Sequence, residues 1–200
     1  MKPILFVLIC FLNISLALSN GAANSFAENR IEVNILTEHG AIKVVLYPDK
    51  APITVANFIK YVDEGFYKSG TFFRTVRSDN QPDSPVKITV IQAVGISDSI
   101  KARFDPIPLE RTNKTGILHK DGTISMARST PDTAQDSFFI CIDDQPELDF
   151  GGKRNPDGQG FAAFGQVIEG MDVVRKINES PAKGQGLTPP VLILDLDIIH

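Results

Sequence analysis

Apolar and polar residues alternate through Ile31-Glu-Val-Asn-Ile-Leu-Thr37, the two-residue period of a strand with one buried face. His39-Gly40 supplies a turn, and Ala41–Tyr47 reads as the partner strand of a hairpin. The period then changes. Val55, Phe58, Ile59 and Val62 recur at helical spacing from Pro52 to Glu64. Pro52 suits a first helical turn, and Gly65 stops the helix. Strand patterning returns in Phe72–Val76, Val86–Ala93, Thr123–Ala127, Ser137–Ile142, Phe161–Ile168 and Val191–Ile199. A second helix is expected over Met171–Asn178, with Val173, Val174 and Ile177 inward, and a single helical turn over Pro146–Phe150. Gly95 to Lys120 has little pattern and reads as a long surface segment. Eight strands and two helices without regular alternation predict a mainly β fold. The expected form is a closed eight-stranded antiparallel β-barrel capped by two α-helices.

The first 27 residues follow a different plan. Lys2 is the lone charge before Glu28, Ile4 to Leu18 is apolar apart from Asn13 and Ser15, and small residues follow. This is the order of a secretory signal peptide, and the run is short for a membrane span. Cleavage is expected between residues 19 and 27, after Ser19 or after Ala27. The folded domain then spans residues 30–200, is exported, and has no membrane segment after cleavage. Without residues 1–27 one cysteine remains, Cys141, so no intramolecular disulfide is possible and a packed core must hold the domain. Cys141 lies in an apolar strand and reads as a buried, inert thiol.

Two hundred residues suffice for one domain, and 42% hydrophobic with 22% charged residues fits an ordinary soluble globule. The net charge of −4 and scattered basic residues give no footing for nucleic acid. His39, His119 and His200 read as surface histidines without metal-ligand spacing to one another or to Cys141, so no metal is expected. Asp143 and Asp144 are adjacent on a strand and point to opposite faces, which disfavours shared acid–base work. The run Gly151–Gly160 lacks Gly-Lys-Ser/Thr and does not open a helix, so it is no phosphate loop.

Three stretches remain: Phe72-Phe-Arg-Thr-Val76, Val90-Ile-Gln92 and Ser137-Phe-Phe-Ile-Cys-Ile142. Together they offer aromatic walls, one guanidinium and one amide, a set suited to gripping an apolar ring such as proline. With Ser125-Met-Ala127 and Phe161-Ala-Ala-Phe-Gly-Gln-Val167 they make the chain resemble the cyclophilin family of peptidyl-prolyl cis–trans isomerases, from about Ile31 to His200. The glycine-rich Asp149–Gly165 stretch resembles the bacterial exported branch.

The resemblance implies the same closed barrel with two capping helices. It implies that Arg74 is catalytic and that Gln92 orders the substrate backbone. Phe139 and Leu148 would wall the proline pocket, with Val90 and Phe161 at further pocket positions and Phe73 beside the arginine. Ala127 and the backbone of Arg128 would form the edge that pairs with the bound peptide. No cofactor is implied, and the partners are proline-containing polypeptides. The chain also departs from the family pattern. Phe73 and Phe161 stand where histidines are usual, Thr89 where a pocket phenylalanine is, Ser137 where a glutamine is, and Ala93-Val94 replace two glycines. The expected function is isomerisation of X–Pro bonds in folding exported proteins, by a monomer in the periplasm of a Gram-negative bacterium. The alternative is a module that holds proline peptides with little or no turnover.

Overall fold

The computed structural model describes residues 29–96 and 104–199. The expected leader, His200 and residues 97–103 of the patternless segment lie outside the described residues. The elements in chain order are β1 (Ile31–Thr37), β2 (Gly40–Leu46), α1 (Pro52–Asp63), β3 (Thr71–Val76), β4 (Val90–Val94), α2 (Thr112–Thr115), β5 (Thr123–Met126), β6 (Phe138–Cys141), β7 (Ala162–Glu169), α3 (Met171–Asn178), β8 (Ala182–Lys183) and β9 (Gly186–Ile199). A 3₁₀ turn covers Pro146–Leu148.

The sheet runs β1-β2-β7-β5-β6-β4-β3-β9, and β9 returns to pair with β1, which closes an antiparallel barrel of eight strands. The two-residue β8 adds to β9 as a ninth strand. Closure leaves no exposed edge along the barrel wall. Inward residues such as Ile35, Val44, Phe72, Ile91, Phe138 and Phe164 have almost no exposed surface. Helix α1 seals one end: Phe58 packs edge-on to Phe138 at 5.5 Å and lies 5.2 Å from Phe164. Burial of one such ring contributes about 1.5–3 kcal/mol. Val174 and Ile177 of α3 are likewise fully buried.

The start of α1 is held from a distance. Pro52 opens the helix, and no local side chain caps it. Instead Glu110 accepts from the Ile53 and Thr54 N–H groups at 3.2 and 2.7 Å, and from Thr54 Oγ1 at 2.6 Å. A carboxylate at this position satisfies orphan donors and opposes the positive end of the helix dipole.

Two expectations need correction. The strand expected over 86–93 begins only at Val90. Val86 O and Ile88 O are taken by side chains instead, from Arg154 and Ser84 and from Gln81 respectively. The last strand starts at Gly186 rather than Val191, because Gly186 pairs with both Arg74 and Lys183 across the sheet. Pro189 and Pro190 are exposed within it, as prolines in strands must be where no ladder donor is required.

One irregularity positions the site. Phe72 pairs with Ala93 and Arg74 with Gln92, so two steps along β3 match one step along β4. Phe73 is the extra residue of a β-bulge. Without it, Phe72 and Arg74 would face the same side of the sheet. With it, Phe72 fills the barrel interior while Arg74 reaches the outer surface.

Candidate active site

A second, smaller apolar cluster lies outside the barrel wall and contains Val76, Ile88, Val90, Phe139, Cys141 and Leu148, with Ala127 and Phe161 packed against it. Strand alternation explains the split: Phe138 belongs to the interior and Phe139 to this outer cluster. The cluster lines a cavity of about 200 Å³. Its apolar walls are Ile88, Val90, Phe139, Leu148 and Phe161. Arg74 and Gln92 supply polar lining, and Ala127, Arg128, Arg154 and Asn155 complete it.

The polar residues sit in one cross-strand row. Arg74 pairs with Gln92, Gln92 with Phe139, and Phe139 with Ser125. Arg74 Nη1 donates to Gln92 Oε1 at 2.9 Å. On its other side, Arg74 Nε and Nη2 both donate to Gln185 Oε1 at 2.9 and 2.5 Å. The Gln92 amide nitrogen donates to Ser137 Oγ at 3.0 Å, and Ser137 donates onward to Ala93 O at 2.8 Å. Both partners of Arg74 are neutral, so its charge is fixed in place without being cancelled. Burial, and next the positive charge of Arg154, lower its pKa from the ordinary value. An arginine nevertheless stays protonated.

The cavity's back wall is braced by a residue expected on the surface. His119 is buried, 1% exposed. Its Nδ1 lies 2.7 Å from Asp149 Oδ1 and its Nε2 lies 2.9 Å from Ser125 Oγ. The same carboxylate oxygen accepts from the His119 backbone N–H at 3.0 Å. The imidazole stacks on Phe139 at 5.9 Å with 12° between the planes, and Phe161 meets the other ring edge-on at 5.3 Å. The surface reading failed because both side-chain partners are distant in sequence or on another element, and no local spacing announces them. Ser125, His119 and Asp149 reproduce the bonding order of an acyl-transfer triad. Ser125 is fully buried, however, so its hydroxyl cannot meet a substrate, and the trio is a brace.

The remaining expected site residues divide. Gln92, Phe139, Leu148, Phe161, Val90, Ala127 and Arg128 gather around the cavity with Arg74. Phe73 does not line it. Phe73 lines an adjoining depression with Val94, Ser137 and Thr133, which shares Ala127 and Arg128 with the main cavity. The bulge brings Phe73 and Arg74 to the same outer side, but into two neighbouring hollows. Ile88, not Thr89, completes the apolar wall. The side chain of Arg128 is also occupied: it forms a two-pronged ion pair with Asp157 at 2.8 and 2.9 Å, and lies over the Phe161 ring at 5.0 Å. That bond lowers the Asp157 pKa from its ordinary value. Ile88 read only as part of a strand, and Gln185 and Arg154 carried no signal in the sequence. All three come from loops, where no periodicity marks a residue's direction.

A closed antiparallel barrel with an apolar cavity on its outer wall, a fixed uncancelled guanidinium and no Ser, Thr, Cys or Lys among the described residues lining that cavity defines a class of barrel whose cavity is built to hold an apolar group. The comparisons give that class its name. Residues 32–198 match the family described as cyclophilin type peptidyl-prolyl cis-trans isomerase/CLD. A peptidyl-prolyl cis-trans isomerase of Acinetobacter baylyi is 33% identical over 183 residues, covering 88% of this chain and 89% of that protein. Peptidyl-prolyl cis-trans isomerase B of Escherichia coli is 35% identical over 146 residues, covering 72% and 82%. A crystal structure of a cyclophilin type isomerase from Cryptosporidium parvum, obtained in the presence of the dipeptide Ala-Pro, shares the fold. Its TM-score is 0.65 at 22% identity, over 84% of this chain and 99% of that one. The chain belongs to the cyclophilin-type peptidyl-prolyl cis–trans isomerases. It is an enzyme of that isomerase type.

Proposed function

We propose that the cavity receives the proline ring of an X–Pro segment and that Arg74 stabilises the bond as it twists. Rotation about that bond faces a barrier of ~18–20 kcal/mol from resonance, and uncatalysed exchange takes roughly tens to hundreds of seconds. No bond breaks, so the enzyme needs only to bind the twisted form more tightly than either planar form. At the twist the proline nitrogen loses conjugation and gains a lone pair. A guanidinium already aimed at that nitrogen stabilises it without reorganisation. The observation that carries this reading is the three-point fixation of Arg74 by Gln92 and Gln185 at an apolar cavity.

Gln92 keeps one amide hydrogen free of Ser137 and can donate it to the substrate backbone. The edge at Ala127 and Arg128 pairs with the peptide chain. Isomerisation of a cis-enriched X–Pro peptide tests the assignment: wild type accelerates exchange, and equal acceleration by Arg74→Ala would remove Arg74 from catalysis. A module that merely holds proline segments has no use for a preorganised guanidinium.

We further propose that the protein works after export, on proline-containing polypeptides in a Gram-negative periplasm, as a monomer. Residues 1–27 would be its removed leader. No described helix is long and apolar enough to cross a membrane. Amino-terminal sequencing of the protein from a periplasmic extract should begin between residues 20 and 28. An intact Met1 in the cytoplasmic fraction would defeat the export proposal.

A further inference from the structure

Three arginines line the cavity, and they differ in one respect. Arg128 is neutralised by Asp157. Arg74 and Arg154 form no ion pair among the described residues. Arg154 stands in the glycine-rich loop, where its backbone N–H donates to Glu147 O at 3.1 Å. Its Nη1 is clamped to the 77–89 loop by three neutral acceptors: Gln81 Oε1 at 2.9 Å, Ser84 Oγ at 2.7 Å and Val86 O at 2.6 Å. Its Nε and Nη2 have no hydrogen-bond partner among the described residues. Asp83 lines the depression just beyond Arg154 and makes no ion pair with it.

A chain with net charge −4 thus places two uncancelled guanidinium groups at one small cavity. Partial burial pulls both pKa values down, and at Arg74 the charge of Arg154 adds to it. A neutral imide uses one guanidinium. The second has no role in the twist, and its unused donors suit a planar carboxylate. The depression lined by Arg154, Gln185 and the 80–85 loop extends beyond Arg154, whereas the one containing Phe73 and Ser137 adjoins the Ala127–Arg128 edge. The two depressions thus join the cavity at different residues, Ala127 and Arg128 for one and Arg154 for the other, so a peptide with its proline in the cavity can meet Arg154 as well as that edge.

We propose that Arg154 is a specificity-determining residue that reads a carboxylate flanking the proline, so that acidic X–Pro segments are preferred over neutral or basic ones. The inference rests on the reading of the cavity as a proline pocket. If Arg154 were only a clamp between two loops, its loss would slow every substrate alike.

Peptides carrying Glu, Gln or Lys at each of the two positions before and after proline separate these roles. At one position, kcat/KM for the Glu peptide should exceed that for the Gln peptide by about 3- to 10-fold at low salt, and the advantage should shrink as salt screens it. Arg154→Gln should bring the ratio to one, Arg154→Lys should keep part of it, and Arg154→Glu should favour the Lys peptide. A Glu/Gln ratio of one for wild type at all four positions, or a ratio that survives Arg154→Gln, overturns the proposal. Wild-type turnover of the Gln peptides tests the pocket itself: normal rates with flat ratios reject the role of Arg154 alone, whereas no turnover of any peptide rejects the pocket reading.

Discussion

Gln185 Oε1 accepts two hydrogen bonds from Arg74, from Nε and Nη2 at 2.9 and 2.5 Å, so one loop residue fixes the plane of the guanidinium. Gln185 is itself tied down, its amide nitrogen donating to Asn80 O at 3.3 Å and its backbone O accepting from Thr75 N at 2.9 Å. Arg74→Ala should lower kcat/KM by about 100- to 1,000-fold, the usual loss for a preorganised donor. Gln185→Ala should lower kcat by roughly 10-fold with little change in KM, since it affects only the aim of the donor. Arg74→Lys should not restore the rate, because an ammonium cannot engage both glutamines in one plane. Unchanged kcat in Gln185→Ala would show that Gln92 alone suffices.

Phe139 and Leu148 should act on binding more than on the turnover step. Leu148→Ala should raise KM several-fold and cost about 2–5 kcal/mol of stability, because Leu148 is buried within the outer cluster. Phe139→Leu should raise KM at a smaller cost in stability. A melting curve beside the kinetics separates the two effects, and a normal KM in both variants would place proline elsewhere.

His119 has a structural role that its chemistry makes measurable. His119→Ala removes partners from Asp149, which is half-buried, and from Ser125, which is fully buried. The expected loss is about 2–3 kcal/mol on denaturant unfolding, the scale of an unsatisfied buried polar group plus lost packing. His119→Gln should recover part of it. Full stability in His119→Ala would mean that water replaces the imidazole without penalty.

Glu110 should stabilise α1 from 56 residues away. Glu110→Ala should cost about 1 kcal/mol, in the range of a lost helix cap. Amide exchange of Ile53 and Thr54 should quicken in the variant. Identical protection would show that solvent serves those N–H groups equally well.

Cys141 should be silent towards thiol reagents in the native protein. Burial above all, and then the carboxylates of Asp149, Asp121 and Asp144, push its pKa well above the ordinary value. At pH 8 an aromatic disulfide reagent should report no reaction at Cys141 until denaturant is added, and then reaction of that thiol in full. Stoichiometric reaction without denaturant would contradict the buried placement.

The strands were legible because a closed barrel imposes strict alternation. Ile31–Thr37 shows it plainly, and Phe138 and Phe139 are sorted inward and outward by the same rule. Both capping helices were legible from spacing and from Pro52. The lining of the candidate site was half legible. Arg74, Gln92 and Phe139 lie on strands, so their neighbours follow from register. Arg154 and Gln185 reach the cavity from loops, and His119 is drawn inward by Asp149, 30 positions along the chain. Such placements depend on closure of the whole fold, and a short window of sequence contains none of it. Val86–Ile88 shows the reverse failure. Its apolar residues resemble a strand, yet side chains from Arg154 and Gln81 take up its carbonyls first.

The bulge at Phe73 changes how much surface one strand can serve. A regular strand offers every second residue to a given side, so two adjacent side chains never compete for the same ligand. Here Phe73 and Arg74 are consecutive and both lie outside the barrel, one in each of two neighbouring hollows. Phe73 has no partner opposite it in β4, so its identity can vary without shifting the register that holds Arg74 to Gln92. The lining of the outer hollow can therefore diverge while Arg74 stays where it is.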